Sequence, residues 1–274
     1  MSVIVSDRRT LIVGLGKTGL SCVRYLSGQG REIAVADSRL QPPGLDELKA
    51  GWPDVPIYLG EFDEELFAGF NELIVSPGIS IAEPAIAGAA ARGARIRGDI
   101  DLFADAADAP IIAITGSNGK TTVTTLVGEM ARAAGRNVQV GGNIGTPALD
   151  LLDQGADLYV LELSSYQIAD LTHAPDWFIF LNLLNDHAPW HRGVEQYRRD
   201  KARLAQLDPN ARGVMSAKDT RLTSLFVHRP NTLWYDQSEG FHAPGGVIHY
   251  GAEAWGRVPA LPGAHNAANA CAAL

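Results

Sequence analysis

The chain has 274 residues, 46% of them hydrophobic and 20% charged, with a formal net charge of −8. That length favours about two domains, and the acidic balance argues against non-specific nucleic-acid binding, which draws its affinity from a basic face. No apolar run approaches the roughly 20 residues that span a bilayer; the longest, 177–184, is broken by Asn182.

The opening segment carries Asp7, Arg8 and Arg9 in place of an apolar signal region. The two cysteines, Cys22 and Cys271, have no paired spacing, which fits a reducing compartment. A soluble, cytoplasmic, monomeric protein is expected.

In chain order, a strand over 10–13 meets Gly14, and a helix over 17–26 is closed by Gly28 and Gly30. A strand over 32–36 stops at Asp37, and one over 73–75 stops at Ser76-Pro77-Gly78. An Ala-rich helix begins at Pro84 and is closed by Gly93. The pattern restarts near 96–100 with a helix over 100–107, then the apolar strand 111–114 and a helix over 120–134. Strands over 137–140, 158–163 and 177–181 precede a helix over 194–207. From Gly213 the chain turns more β-like, with segments at 232–235 and 246–250, and it ends inside an Ala-rich helix over 265–274. That helix has no C-terminal Gly or basic last turn, so the chain is expected to be truncated there.

Strand–turn–helix repetition indicates an α/β fold with parallel sheets. The expected architecture is a Rossmann-like parallel-sheet domain over 1–97, then a P-loop-type mononucleotide-binding α/β domain over 98–274 with a small β-rich portion.

Two glycine clusters carry chemistry. Gly14-Leu15-Gly16-Lys17-Thr18-Gly19 follows a strand and opens a helix, which lets a backbone turn approach a diphosphate seated on the helix N-terminus. Asp37 ends the next strand, where a carboxylate can accept ribose hydroxyls. This points to some nucleotide diphosphate, and a nicotinamide dehydrogenase is one reading of it. In the second cluster the strand 111–114 runs into Thr115-Gly116-Ser117-Asn118-Gly119-Lys120-Thr121-Thr122. Backbone N–H groups there can surround a β-phosphate, Lys120 can neutralise β/γ charge, and the Thr121 hydroxyl can ligate Mg2+. The loop is shorter than the usual spacing, with Ile114 where the first glycine would stand.

Two nucleotide-type loops in tandem suit neither a dehydrogenase nor a simple NTPase. The second loop resembles that of the Mur ligases and the related folylpolyglutamate synthetases, which join an amino acid to a carboxylate through an acyl phosphate. Gly142-Asn143-Ile144-Gly145, Glu162-Leu163-Ser164-Ser165-Tyr166-Gln167, and Asn182-Leu183-Leu184-Asn185-Asp186-His187 resemble Mur ligase blocks in order. Tyr197-Arg198-Arg199-Asp200-Lys201 and Gly263-Ala264-His265-Asn266-Ala267-Ala268-Asn269 complete the series. Ala188-Pro189 departs from the family's usual Asp-His-Leu/Met-Asp pattern.

The resemblance implies ATP bound by Gly116, Ser117, Asn118, Gly119, Lys120, Thr121 and Thr122, with Asn266 and Asn269 towards the adenine. It implies two Mg2+ ions held by Thr121, Glu162, His187 and a carbamylated Lys201, and catalysis by Lys120, Glu162, His187 and Lys201. A UDP-linked substrate would meet Gly14, Leu15, Gly16, Lys17, Thr18, Gly19, Asp37, Ser38, Arg39, Ser76, Pro77 and Gly78. Asn143, Ser164 and Gln167 would meet the same substrate, the asparagine touching it or its phosphate.

The first domain looks most like that of the members that add glutamate to UDP-MurNAc-L-Ala, with D-glutamate expected. Leu163 to Gln167, Tyr197 to Lys201 and the 234–242 stretch look closer to an L-glutamate-adding variant. A folate-type glutamyl ligase and a non-catalytic nucleotide-binding module are the remaining alternatives. The family's third domain has no counterpart in the chain, so this segment alone is expected to make no product.

Overall fold

A computed structural model describes residues 9–184, 191, 193–257 and 262–274. The chain divides into two compact units, Met1–Phe103 and Ala104–Leu274. Asp186, His187, Ala188 and Pro189 lie outside the described residues. Among those described, no helix is long and apolar enough to cross a membrane.

The first unit runs β1 (Thr10–Val13), α1 (Lys17–Gly28), β2 (Ile33–Asp37), α2 (Leu45–Gly51), β3 (Ile57–Leu59) and α3 (Glu64–Ala68). It continues through β4 (Glu72–Val75), α4 (Pro84–Ala91) and β5 (Arg95–Arg97), after which α5 (Asp99–Ala106) carries the chain across the division. Its five strands are parallel in the order β3-β2-β1-β4-β5. The order reverses between β1 and β4, so their carboxyl ends flank the crevice where open α/β sheets bind ligands. β1, β2 and β4 are buried along their whole length, as expected of central parallel strands covered on both faces. Leu11, Val13, Phe67, Leu73, Ile86 and neighbours form the core of this unit, each large side chain contributing about 1.5–3 kcal/mol by leaving water.

The apolar pattern of the sequence does not reveal β3, β5, α2 or α3. The two strands have three residues each and stand at the sheet's edges with partly exposed side chains, so neither shows an apolar run. α3 has five residues and owes its start to Asp63, whose side chain accepts from the Glu65 amide.

The second unit runs β6 (Ile111–Thr115), α6 (Lys120–Ala133), β7 (Val138–Gly142), β8 (Leu158–Glu162), α7 (Ser165–Ala169), β9 (Trp177–Phe180) and α8 (Val194–Gln206). It continues through β10 (Arg212–Ser216), α9 (Thr220–Phe226), β11 (Thr232–Tyr235), β12 (Phe241–His242), β13 (Ile248–Tyr250), β14 (Glu253–Gly256) and α10 (Ala264–Ala273). Six parallel strands lie in the order β11-β10-β9-β6-β8-β7, and β12, β13 and β14 make a small antiparallel sheet.

β6 is thus central, with β8 and β9 on either side, and the ends of all three share one edge. Its core joins Ile114, Val123, Val160, Ile179 and Leu181 to Tyr235, Ile248 and Cys271, which ties α10 and the small sheet to the large one. Burial pushes the Cys271 thiol up to about 11, so it stays protonated and behaves as a small apolar side chain.

The β-rich portion begins later than the sequence suggests. The stretch from Arg212 to Tyr235 is a further β–α–β unit of the parallel sheet. Gly213 sits in β10 because a Cβ there would lie 2.4 Å from the Phe178 ring, and α9 is started by Asp219, which accepts from the Arg221 and Leu222 amides. Neither feature produces an apolar periodicity.

Candidate active site

In the first unit the sheet edge gathers the 14–19 loop, the end of β2 and Ser76. A Cβ on Gly19 would stand 1.9 Å from the Gly14 carbonyl oxygen, so the loop can close onto α1 only with glycine there. The Ser76 hydroxyl donates to that same carbonyl at 3.1 Å, joining the β1 and β4 ends.

Asp37 sits differently from the ribose acceptor expected of it. It is 2% exposed; Oδ2 accepts from the Leu15 amide at 2.7 Å and from the Arg39 guanidinium at 2.6 Å. Oδ1 accepts from Arg39 Nε at 2.8 Å and from the Arg39 amide at 2.9 Å. A ribose hydroxyl could gain Asp37 only if one of these donors yielded. The carboxylate is a clasp: it holds the glycine loop through Leu15 and pins the half-exposed Arg39 guanidinium at the end of β2. Leu15 itself is fully buried, with its amide taken by Asp37.

Burial alone would raise the Asp37 pKa, but the Arg39 side-chain hydrogen bond and the Leu15 and Arg39 amides outweigh it and leave it below 3.8. A carboxylate lowered in the folded state contributes stability that is fully present above the unfolded value and lost as pH falls through the folded one. Asp37→Asn should therefore cost about 2 kcal/mol at pH 7 and flatten the acid side of the stability curve below pH 4 or so. Urea unfolding at pH 7 and at pH 3 checks this; an equal loss at both pH values would contradict it.

In the second unit, β6 delivers Gly116 to the sheet edge and α6 begins at Lys120. Gly119 has φ +86°, so the left-handed turn there favours glycine, and a Cβ on it would lie 2.6 Å from Asn269 Oδ1. Asn269 is thereby placed against the loop, while Asn266 donates to the Pro262 carbonyl at 2.9 Å.

Both expected lysines reach one atom. Lys120 Nζ donates to the Gly116 carbonyl at 3.0 Å and to the Ser117 carbonyl at 3.2 Å. Lys201 Nζ, on the buried face of α8, donates to the same Gly116 oxygen at 3.0 Å and to Thr115 Oγ1 at 3.1 Å. Two ammonium groups therefore concentrate positive charge on a loop whose backbone already favours anions.

Across from them, Glu162 ends β8 at 2% exposure. Its Oε2 accepts the Thr121 hydroxyl at 2.8 Å and its Oε1 the Asn143 amide at 2.7 Å. Among the described residues no basic side chain forms an ion pair with it. A buried carboxylate met only by neutral donors is electrostatically incomplete, and its hard oxygens beside a threonine hydroxyl fit a divalent cation such as Mg2+. Of the expected metal ligands the fold brings Glu162 and Thr121 together and holds Lys201 at the neighbouring Gly116; His187 lies outside the described residues. Ser164 and Gln167 bond each other in a capping box at the start of α7, which stiffens the turn after Glu162.

Asn182, Tyr197 and His191 are absent from the sequence-derived site. The Asn182 side chain accepts from the Asn118 amide at 2.9 Å and donates to the Asn118 carbonyl at 3.0 Å, clamping the loop tip. Tyr197 OH lies 2.7 Å from Ser117 Oγ. A polar residue ending an apolar strand is a usable signal for Asn182; Tyr197 heads the block that ends at Lys201, but its partner Ser117, 80 positions away, is not legible.

A central strand running into a Gly–Lys–Thr loop, with a carboxylate at the end of its neighbour, defines an α/β phosphate-loop protein. The chain belongs to the Mur ligase family. The model for the Mur ligase middle domain matches residues 114–274, and that for the Mur ligase MurD-like N-terminal domain matches 8–98.

UDP-N-acetylmuramoylalanine–D-glutamate ligase of Marinobacter nauticus is 80% identical over 212 residues, covering 77% of this chain and 48% of that protein. The Pseudomonas aeruginosa protein of the same description is 45% identical over 291 residues, covering 100% of this chain and 63% of that protein. The chain thus spans about half to two thirds of the length of these relatives.

Among solved structures, the Neisseria UDP-N-acetylmuramate:L-alanyl-γ-D-glutamyl-meso-diaminopimelate ligase superposes with a TM-score of 0.66 at 17% identity, covering 97% of this chain and 91% of that one. The Thermotoga maritima UDP-N-acetylmuramate-alanine ligase gives 0.58 at 20% identity, covering 97% and 63%. These likenesses concern the fold.

Proposed function

We propose that this chain supplies the UDP-substrate-binding and ATP-binding parts of an ATP-dependent ligase that adds D-glutamate to UDP-N-acetylmuramoyl-L-alanine. The observation that carries this reading is the convergence of Lys120 and Lys201 on Gly116, facing the Glu162–Thr121 pair. The MurD-like match over 8–98 and the relatives' descriptions favour this substrate pair.

In the proposed reaction a carboxylate oxygen of the UDP-linked substrate bonds to the γ-phosphorus of ATP. The bond from that phosphorus to the β,γ-bridging oxygen breaks, and ADP leaves. The glutamate amine then attacks the acyl carbon, inorganic phosphate leaves, and the nitrogen loses a proton. Phosphoryl transfer of this kind is mostly positioning and charge neutralisation.

Lys120 would neutralise charge on the β- and γ-phosphates, and the amides that open α6 would orient them, on a loop tip that Asn182 clamps. Asn266 and Asn269 would lie towards the adenine. Thr121 and Glu162, with His187 and a carbamylated Lys201, would hold Mg2+, which when bound supplies further neutralisation of phosphate charge. In the first unit, the 14–19 loop, Ser38, Arg39 and Ser76-Pro77-Gly78 would hold the uridine diphosphate, with Asp37 keeping Arg39 aimed.

The test takes the complete reading frame and measures phosphate release with UDP-MurNAc-L-Ala, ATP and either D- or L-glutamate. Release with D-glutamate alone is expected. Release only with L-glutamate would move the assignment to the L-adding variant, and release with neither would remove it.

A further inference from the structure

We propose that His191 is a positioning residue, which sets the place of Lys201 against the phosphate loop; its consequence for turnover rests on the ligase reading above. His191 is 2% exposed. Its Nδ1 lies 2.6 Å from Asp200 Oδ2 and its Nε2 lies 2.9 Å from Ser165 Oγ. In the neutral ring the carboxylate favours the tautomer with the proton on Nδ1, which leaves Nε2 to accept from the Ser165 hydroxyl. The other Asp200 oxygen accepts from Gln196 Nε2 at 2.7 Å. The ring lies parallel to Tyr166, with centroids 5.5 Å apart and planes at 10°. It meets Tyr197 edge-on at 5.3 Å and 70°.

These contacts join three pieces of the site. Ser165 opens α7, just beyond the Glu162 strand end. Asp200 directly precedes Lys201 on α8. Tyr197, in T-shaped contact with the ring, reaches Ser117 in the phosphate loop. His191 is the strut between α7 and α8 at the level of Lys201.

The serine–histidine–aspartate order also occurs in hydrolases. Here Ser165 is 3% exposed and His191 2% exposed, with Tyr166 stacked on the ring, so no acyl group reaches the hydroxyl. The relay holds a distance.

Geometry makes that distance matter. A Cα stands about 2.3 Å from the helix axis, so a turn of α8 by roughly 20° moves the Lys201 Cα by about 0.8 Å. At the tip of the side chain, some three times farther from the axis, the displacement is about 2.4 Å. That is enough to break both the Thr115 and the Gly116 hydrogen bonds. A bond to the adjacent residue, Asp200, opposes this rotation.

The experiment compares His191→Phe with His191→Asn in the full-length protein. Phenylalanine keeps an aromatic ring but no donor; asparagine keeps an N–H near the Nδ1 position for Asp200. Lysine acetylation by a limiting amine reagent, in CO2-free and magnesium-free buffer so that Lys201 carries its free amine, is followed peptide by peptide by mass spectrometry. Lys201 should react at least about 10-fold faster in His191→Phe, with Lys120 and the exposed Lys218, which pairs with Asp236, unchanged and His191→Asn close to wild type. Turnover in His191→Phe should fall about 10- to 100-fold, with the KM for both nucleotide substrates held within about 2-fold.

Unchanged Lys201 reactivity in His191→Phe would overturn the proposal. So would acceleration of all three lysines together, which marks general loosening. If wild type ligated no glutamate while the labelling contrast held, the ligase reading would fall and the positioning role would stand.

Discussion

Lys120→Ala in the complete protein is expected to lower ligase turnover by on the order of 10³-fold while leaving its melting temperature within about 3 °C of wild type. The two halves of that expectation have separate causes. Lys120 donates to the Gly116 and Ser117 carbonyls, but Gly116 keeps Lys201 as a second donor. Ser117 is held independently, by its amide on Asn182 and its hydroxyl on Tyr197. The loop therefore has other supports for its shape. What is lost is a positive charge beside the transferred phosphoryl group, in a site where charge stabilisation is the main catalytic resource. Steady-state phosphate release together with a thermal melt decides it. Turnover within about 10-fold of wild type would mean that Lys120 is not the group that neutralises phosphate.

Glu162→Gln should have a similar effect by a different route. Glutamine has nearly the same shape, so its oxygen can still accept one of the two hydrogen bonds that Glu162 takes from Thr121 and Asn143. Its amide can donate to the threonine hydroxyl. Removing a buried charge that only neutral donors satisfy costs little folding stability. It does remove the hard anionic ligand that suits Mg2+. Turnover should fall by about 10²- to 10³-fold, and half-maximal activity should need at least about 10-fold more Mg2+. A magnesium titration that superposes on wild type would exclude Glu162 as a metal ligand. A large drop in melting temperature would instead show that the carboxylate is needed for packing.

The local devices of this protein are legible in its sequence because each is short-range. An apolar strand, a glycine turn and a helix start lie within a dozen or so consecutive residues, which is enough to place the loops at Gly14 and Gly116 on sheet edges. The parallel α/β plan follows from the same repetition. Short edge strands such as Ile57–Leu59 and Arg95–Arg97 are not legible, because an edge strand is half solvated and its side chains carry little hydrophobic signal. The Arg212–Ser216 strand is hidden for another reason: its glycine answers to a phenylalanine ring on the neighbouring strand, and no local pattern records that.

The phosphate loop shows where the division falls. Its residue types, spacing and place between strand and helix came from sequence alone, since they express backbone conformation and charge. Which atoms surround it was decided by tertiary structure. Lys201 arrives from 85 positions away to share the Gly116 carbonyl, Asn182 clamps the loop tip from 64 positions away, and Asp37 turns out to hold Arg39 and Leu15. Strand order in a parallel sheet brings distant carboxyl ends to one edge, and that order depends on the packing of the whole sheet. No window of consecutive residues contains it.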